Sequence, residues 1–128
     1  MSSAEVDERA VARVLAEYCH LVDDGNVEAL LDRFTDDAAF VFGGQETVGR
    51  AALTTYFAAT ALPQHRGKHL TCNVVIDVDG DHATAASDFM FLKKTSDGLS
   101  PRLTGRYNDE LRRTNGGWQI SRRVVALL

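Results

Sequence analysis

The sequence predicts an α+β fold, with three N-terminal helices packed on a strongly curved, mostly antiparallel sheet that forms a cone with an internal pocket. Two observations predict it. Apolar residues recur at helical spacing through roughly the first half of the chain, and the second half switches to strand-forming runs divided by tight-turn residues. At 128 residues, 45% hydrophobic and 25% charged, the chain reads as a single domain over residues 1–128 whose core needs neither disulfide nor metal.

Each element has its own warrant. Val6, Ala10, Val11, Val14, Leu15, Tyr18, Leu21 and Val22 form one stripe of an amphipathic helix over residues 4–23. Asp24-Gly25-Asn26 breaks it, and Asn26 caps a second helix over residues 27–34, with Val27, Leu30, Leu31 and Phe34 sharing a face. Asp36-Asp37 reads as a turn, and residues 38–42 as a short apolar strand ended by Gly43-Gly44. Residues 51–61 read as a third helix with Leu53, Tyr56 and Phe57 inward, closed by Pro63. Strands are expected over residues 68–78, 82–94, 103–114 and 118–127, all rich in Val, Ile, Thr, Phe and Tyr. Asp79-Gly80-Asp81, Ser96-Asp97-Gly98 and Asn115-Gly116-Gly117 separate them as hairpin turns, because Gly, Asn and Asp accept the positive φ such turns demand. A twisted sheet covered by helices leaves a cavity with one open mouth, a natural place for a small molecule.

Charge and cysteine usage bound the partners. A net charge of −4 with no basic block argues against nucleic acid. Cys19 and Cys72 stand in apolar contexts far apart, so both are expected reduced and buried, as suits a cytoplasmic protein. Residues 1–9 lack the apolar core of an export signal, and no apolar run approaches the ~18 residues of a membrane span.

Several segments in order carry a resemblance. They are Val22-Asp23-Asp24-Gly25-Asn26, Phe34-Thr35-Asp36-Asp37-Ala38, Val48-Gly49-Arg50, Val78-Asp79-Gly80-Asp81-His82-Ala83, Gly105-Arg106-Tyr107 and Gly117-Trp118-Gln119-Ile120. Together they resemble the SnoaL-like branch of the nuclear transport factor 2-like superfamily over nearly the whole chain. That scaffold hosts dehydratases, dehydrohalogenases, isomerases, cyclases and binding modules. The stretch His65-Arg66-Gly67-Lys68-His69-Leu70-Thr71-Cys72-Asn73 is similar to the segment that carries the catalytic histidine in scytalone dehydratase and hexachlorocyclohexane dehydrochlorinase. The resemblance implies His69 as that histidine and Asp23 as its aspartate, working without cofactor or metal. The second histidine of scytalone dehydratase has no counterpart in Ser87-Asp88-Phe89-Met90-Phe91-Leu92. Where the dehydrochlorinase carries a lysine before the aspartate, this chain has Tyr18-Cys19-His20-Leu21-Val22, and His20 fills that role only if it turns inward.

Read from spacing alone, the same residues keep alternatives open. Asp23 lies off the main helical stripe, in line with Cys19, Ala16 and Ala12, and can end the helix near solvent. Alternation groups His69 with Thr71, Asn73 and Val75, on a face that lines a pocket or meets water. His65 belongs to the loop before the strand, either solvated or at the cavity mouth, and His82 sits in a hairpin turn. The His65/His69 spacing lacks a third ligand for zinc. In the last strand Arg122 shares parity with Trp118, Ile120 and Val124, so it is expected to point inward, paired with Asp109 or Asp88 or offered to a ligand. Tyr18 and Tyr107 offer phenolic donors or simple packing, and Phe57 and Phe89 wall an apolar, ring-sized pocket. The combined expectation is a lyase or isomerase using an Asp23–His69 base on a small, apolar, cyclic substrate. Its alternative is a non-catalytic ligand-binding or dimerisation module of the same fold. A homodimer is expected because the outer sheet face would otherwise expose residues such as Val125 and Leu127.

Overall fold

A computed structural model describes residues 2–115 and 117–128; Gly116 of the third expected hairpin turn lies outside the described residues. Helix α1 spans Ser3–Asp24, α2 Val27–Leu31 and α3 Arg50–Thr60. Strands β1 (Phe34–Phe42), β2 (Gln45–Val48), β3 (Lys68–Asp79), β4 (His82–Thr95), β5 (Gly98–Thr114) and β6 (Gly117–Leu127) form one sheet in the order β2-β1-β6-β5-β4-β3. Neighbours pair antiparallel except β1 with β6, which run parallel, so the sheet is mixed and not closed. No helix is long and apolar enough to cross a membrane among the described residues.

Local chemistry sets the helix ends. The Ser2 side chain accepts from the Glu5 N–H at 3.2 Å, satisfying a donor that the first turn leaves unpaired. At the other end Gly25 adopts φ 70°, its N–H donates to Val22 O, and the Asn26 N–H donates to Leu21 O. This left-handed glycine cap turns the chain sharply and leaves Asp23 on the last regular turn. Asn26 caps α2 as expected, its Oδ1 accepting from Ala29 N–H at 3.3 Å.

The core lies between α1, α2, α3 and the concave sheet face. Leu30, Leu31, Phe34, Leu53, Phe57, Leu111 and Ile120 are all at most 2% exposed, each such side chain stabilising the fold by about 1.5–3 kcal/mol. Tyr18 meets Phe34 and Phe57 edge-on, with ring centroids 6.0 and 6.2 Å apart.

Several expectations need correction. Helix α2 stops at Leu31, and Phe34 starts a strand instead; a short apolar run satisfies either period. Asp36-Asp37 lies within β1, where pairing with β6 is interrupted between Phe34 and Ala39 and Thr35 donates to Asp37 at 2.8 Å. The polar edge strand β2 was not expected, since Gln45-Glu46-Thr47-Val48 shows no apolar alternation. Cys72 is exposed, and Cys19 alone is buried.

The largest correction is in β6. Glu110 pairs with Arg122 but Leu111 pairs with Ile120, so Ser121 is an extra residue that reverses parity beyond it. Trp118 and Ile120 point inward before this bulge, Arg123 and Val125 after it. Arg122 therefore faces outward and bonds Glu46 at 3.0 Å, and Arg123 is the buried arginine. Val125 leaves the outer face for the same reason. The apolar residues exposed on that face include Leu70 and Met90, which pair across β3 and β4, and Val75.

Candidate active site

The end of α1 carries Asp23 and Asp24, with no basic residue in the last turn. Two carboxylates at the negative end of a helix dipole are locally unfavourable, by about 0.3–1 kcal/mol each. The fold supplies Asp23 with donors from β3. Its Oδ1 and Oδ2 accept the main-chain N–H of His69 at 3.1 and 3.0 Å, and Oδ1 lies 2.6 Å from His69 Nδ1. The Asp23 side chain is 7% exposed and that of His69 16%. A carboxylate accepts, so Nδ1 carries the hydrogen in this pairing, and in the neutral imidazole Nε2 is the nitrogen that keeps its lone pair.

β3 enters the sheet just ahead of this contact, and Gly67 makes that possible. A Cβ there would fall 2.2 Å from Leu92 O and 2.8 Å from the Phe91 ring. With hydrogen alone in that space, Phe91 packs against His69 at 4.7 Å between ring centroids. Further along, Asn73 takes φ 53° at a bulge, pairing passing from Cys72–Asp88 to Val75–Ala86. His69 and Thr71 face inward before it, whereas beyond it Ile76 and Val78, not Val75, pack on the core.

Asp23 and His69 share a cavity of about 170 Å³. Tyr18, Phe57, His65, Phe89 and Tyr107 line it as well, so of the residues expected to act on or hold a substrate the structure brings together all but Arg122. Phe89 stacks on Tyr107 with centroids 4.3 Å apart and planes 10° apart. His65 holds the rim through a contact of 3.1 Å from Nδ1 to Ala59 O. His20 and His82 are exposed and take no part. Among the described residues no group of three or more His, Cys, Asp or Glu could hold a metal ion.

Behind the two tyrosines lies Arg123, missed by the alternation argument. It is 1% exposed and bonds Asp109 through both arms, at 2.7 and 2.8 Å. Its guanidinium carbon sits 4.2 Å from the Tyr18 ring centroid and 3.9 Å from that of Tyr107. Burial pushes both phenols well above the usual tyrosine range against the opposing pull of this cation, so both remain hydrogen-bond donors at neutral pH. Burial lowers the proton affinity of Arg123, but the charge and hydrogen bonds of Asp109 outweigh it and hold the guanidinium charged. Arg66, also missed, lines the cavity from the exposed loop before β3, where no periodicity marks it.

A helix-covered, curved mixed sheet around a ring-lined pocket defines the class, a nuclear transport factor 2-like cone. The chain belongs to the SnoaL-like domain family, whose model matches residues 5–124. It is similar to a Mycobacterium tuberculosis protein of unknown function, 32% identical over 96% of this chain and 72% of that one, with a TM-score of 0.91. A nuclear transport factor 2-like protein with a cystatin-like fold from Novosphingobium aromaticivorans is 27% identical over 95% and 82% of the two chains, with a TM-score of 0.88. A protein named as a candidate scytalone dehydratase from the same organism is 22% identical over 96% and 85%, with a TM-score of 0.85, a likeness of fold. No curated protein matches the chain.

Proposed function

We propose that this protein is a cofactor-free lyase or isomerase acting on a small, largely apolar, cyclic molecule. One observation carries the reading: an imidazole on an apolar cavity wall, its Nδ1 2.6 Å from a carboxylate that also accepts the histidine's main-chain N–H. In the proposed reaction His69 Nε2 takes a proton from the carbon beside a carbonyl, and the C–H electron pair moves into an enolate. Asp23 fixes the tautomer and stabilises the imidazolium. The enolate then either expels a leaving group on the next carbon, giving elimination, or regains the proton at another carbon, giving isomerisation. Tyr18 and Tyr107 supply neutral donors for the oxyanion. The family's known dehydratases and isomerases support the same class of chemistry.

Proton abstraction is common to both outcomes, so wash-out of α-protons in D2O tests it before the product is known. Followed by NMR on 3-hydroxycyclohexanone and cyclohex-3-enone, the His69→Gln variant is expected to lose about 10²–10⁴-fold of the enzyme-dependent rate. Equal wash-out by variant and wild type would leave a ligand-binding module as the answer. We further propose a homodimer that covers Leu70, Val75 and Met90, to be read as a doubled mass in light scattering; a monomer mass overturns it.

A further inference from the structure

The cavity has a polarity that the base does not use. Asp23 is the single carboxylate among its lining residues and is already bonded to His69. On the mouth side, the loop before β3 carries Arg66, and Lys93 at the adjoining end of β4 reaches the same loop, in a chain of net charge −4. Most arginines of this chain end on carboxylates, as Arg50 does on Asp32, Arg106 on Asp88 and Arg122 on Glu46. Arg66 does not. Its Nη1 donates to the main-chain carbonyl of Asp24 at 3.0 Å, and Lys93 Nζ donates to the carbonyl of Gln64. Both cations are positioned by main-chain carbonyls, and among the described residues no carboxylate is in salt-bridge contact with either.

The arm of Arg66 is also held in place. It crosses the glycine that ends α1, where a Cβ on Gly25 would lie 3.0 Å from Nη1 and 3.2 Å from Cδ. The end of α1 thus fixes two side chains of one segment, Arg66 through Asp24 and His69 through Asp23. With one N–H engaged, the guanidinium keeps further donors in the planar fork that fits a carboxylate. The cavity that Arg66 borders measures about 170 Å³, and a cavity of about 150 Å³ takes one benzene ring.

We infer that the substrate is a monocyclic carboxylate, its ring between the phenylalanine walls and its carboxylate on Arg66 at the mouth. This rests on the reading of the pocket as the reaction site and adds its substrate class.

Calorimetric titration with benzoate and with benzamide, its neutral counterpart, tests the assignment. Benzoate is expected to bind wild type about tenfold more tightly than benzamide, and its affinity alone to fall as sodium chloride rises from low to about 0.5 M. Arg66→Gln, its fold checked by thermal melting, is expected to abolish that preference and leave benzamide unchanged, with Arg66→Lys in between. If Arg66→Gln does not fold, the salt dependence of wild type decides. His69→Gln is expected to keep the preference, so failure of the base and failure of the anion site give different results. Equal binding of the two probes, binding of neither by folded wild type, or a preference that survives in Arg66→Gln overturns the inference.

Discussion

Two carboxylates meet nitrogen bases on the concave side of this sheet, and the contrast between them separates structure from chemistry. Asp109 and Arg123 lie directly across β5 and β6, are essentially sealed, and hold each other through two hydrogen bonds. Asp23 and His69 lie at the cavity wall, joined by one short contact and by the main chain. The first pair cannot exchange a proton, because a guanidinium stays charged at any ordinary pH. The second contains an imidazole, which can take up or release a proton at one ring nitrogen while the other stays bonded to the carboxylate. A buried permanent charge fixes where the tyrosines stand; a partly accessible imidazole can pass a proton to a ligand.

Truncating the sealed pair gives the largest expected effect. Asp109→Ala leaves the Arg123 guanidinium unpaired in the core, at a cost of about 3–5 kcal/mol in urea unfolding. Replacing both residues, Asp109→Leu with Arg123→Met, should recover most of that, since the desolvation penalty disappears with the charges. A single variant that unfolds at the wild-type midpoint would show that water or a rearranged partner reaches Arg123, and the contrast would collapse.

The two pairs also differ in how far the sequence disclosed them. α1 and its end at Asp23 follow from a clear stripe and a glycine stop, and the four long strands follow from turn residues at regular intervals. Parity within a strand holds only as far as the next bulge. His69 precedes the bulge at Asn73, so its grouping with Thr71 holds in the structure, whereas Arg122 follows the extra residue at Ser121 and its expected face is reversed. Asp109 was legible as a partner for an inward arginine, but not which arginine it meets. The acids at the end of α1 carry a signal of their own, being placed where the helix dipole disfavours them.

The tyrosines between the two pairs sharpen the comparison at alkaline pH. Burial holds Tyr18 and Tyr107 protonated far above the usual value of 10, despite the cation against their rings. An unfolded chain releases these protons near pH 10 while the folded chain retains them. Their contribution is therefore complete below pH 10 and declines above it, by about 1.4 kcal/mol per pH unit for each tyrosine. Tyr18→Phe with Tyr107→Phe keeps both rings against Arg123 and should flatten the stability curve between pH 10 and 11 relative to wild type. The two proteins differ only in these hydroxyls, so the difference between their curves reports the phenols. Parallel curves would mean that the hydroxyls ionise into the cavity and that burial does not control them.

The smallest expected effect tests the other side of the contrast. Asp23→Asn loses a charged acceptor for two N–H groups, about 1–2 kcal/mol, but relieves the repulsion between the helix end and its own acid, about 0.3–1 kcal/mol. The two terms oppose, so the unfolding free energy should move by no more than about 1 kcal/mol, although α-proton wash-out falls as it does in His69→Gln. A loss of 3 kcal/mol or more would place Asp23 beside Asp109 as a structural anchor. Near-neutral stability with lost exchange means instead that the fold tolerates an unfavourable acid at the end of α1 because that acid holds the base.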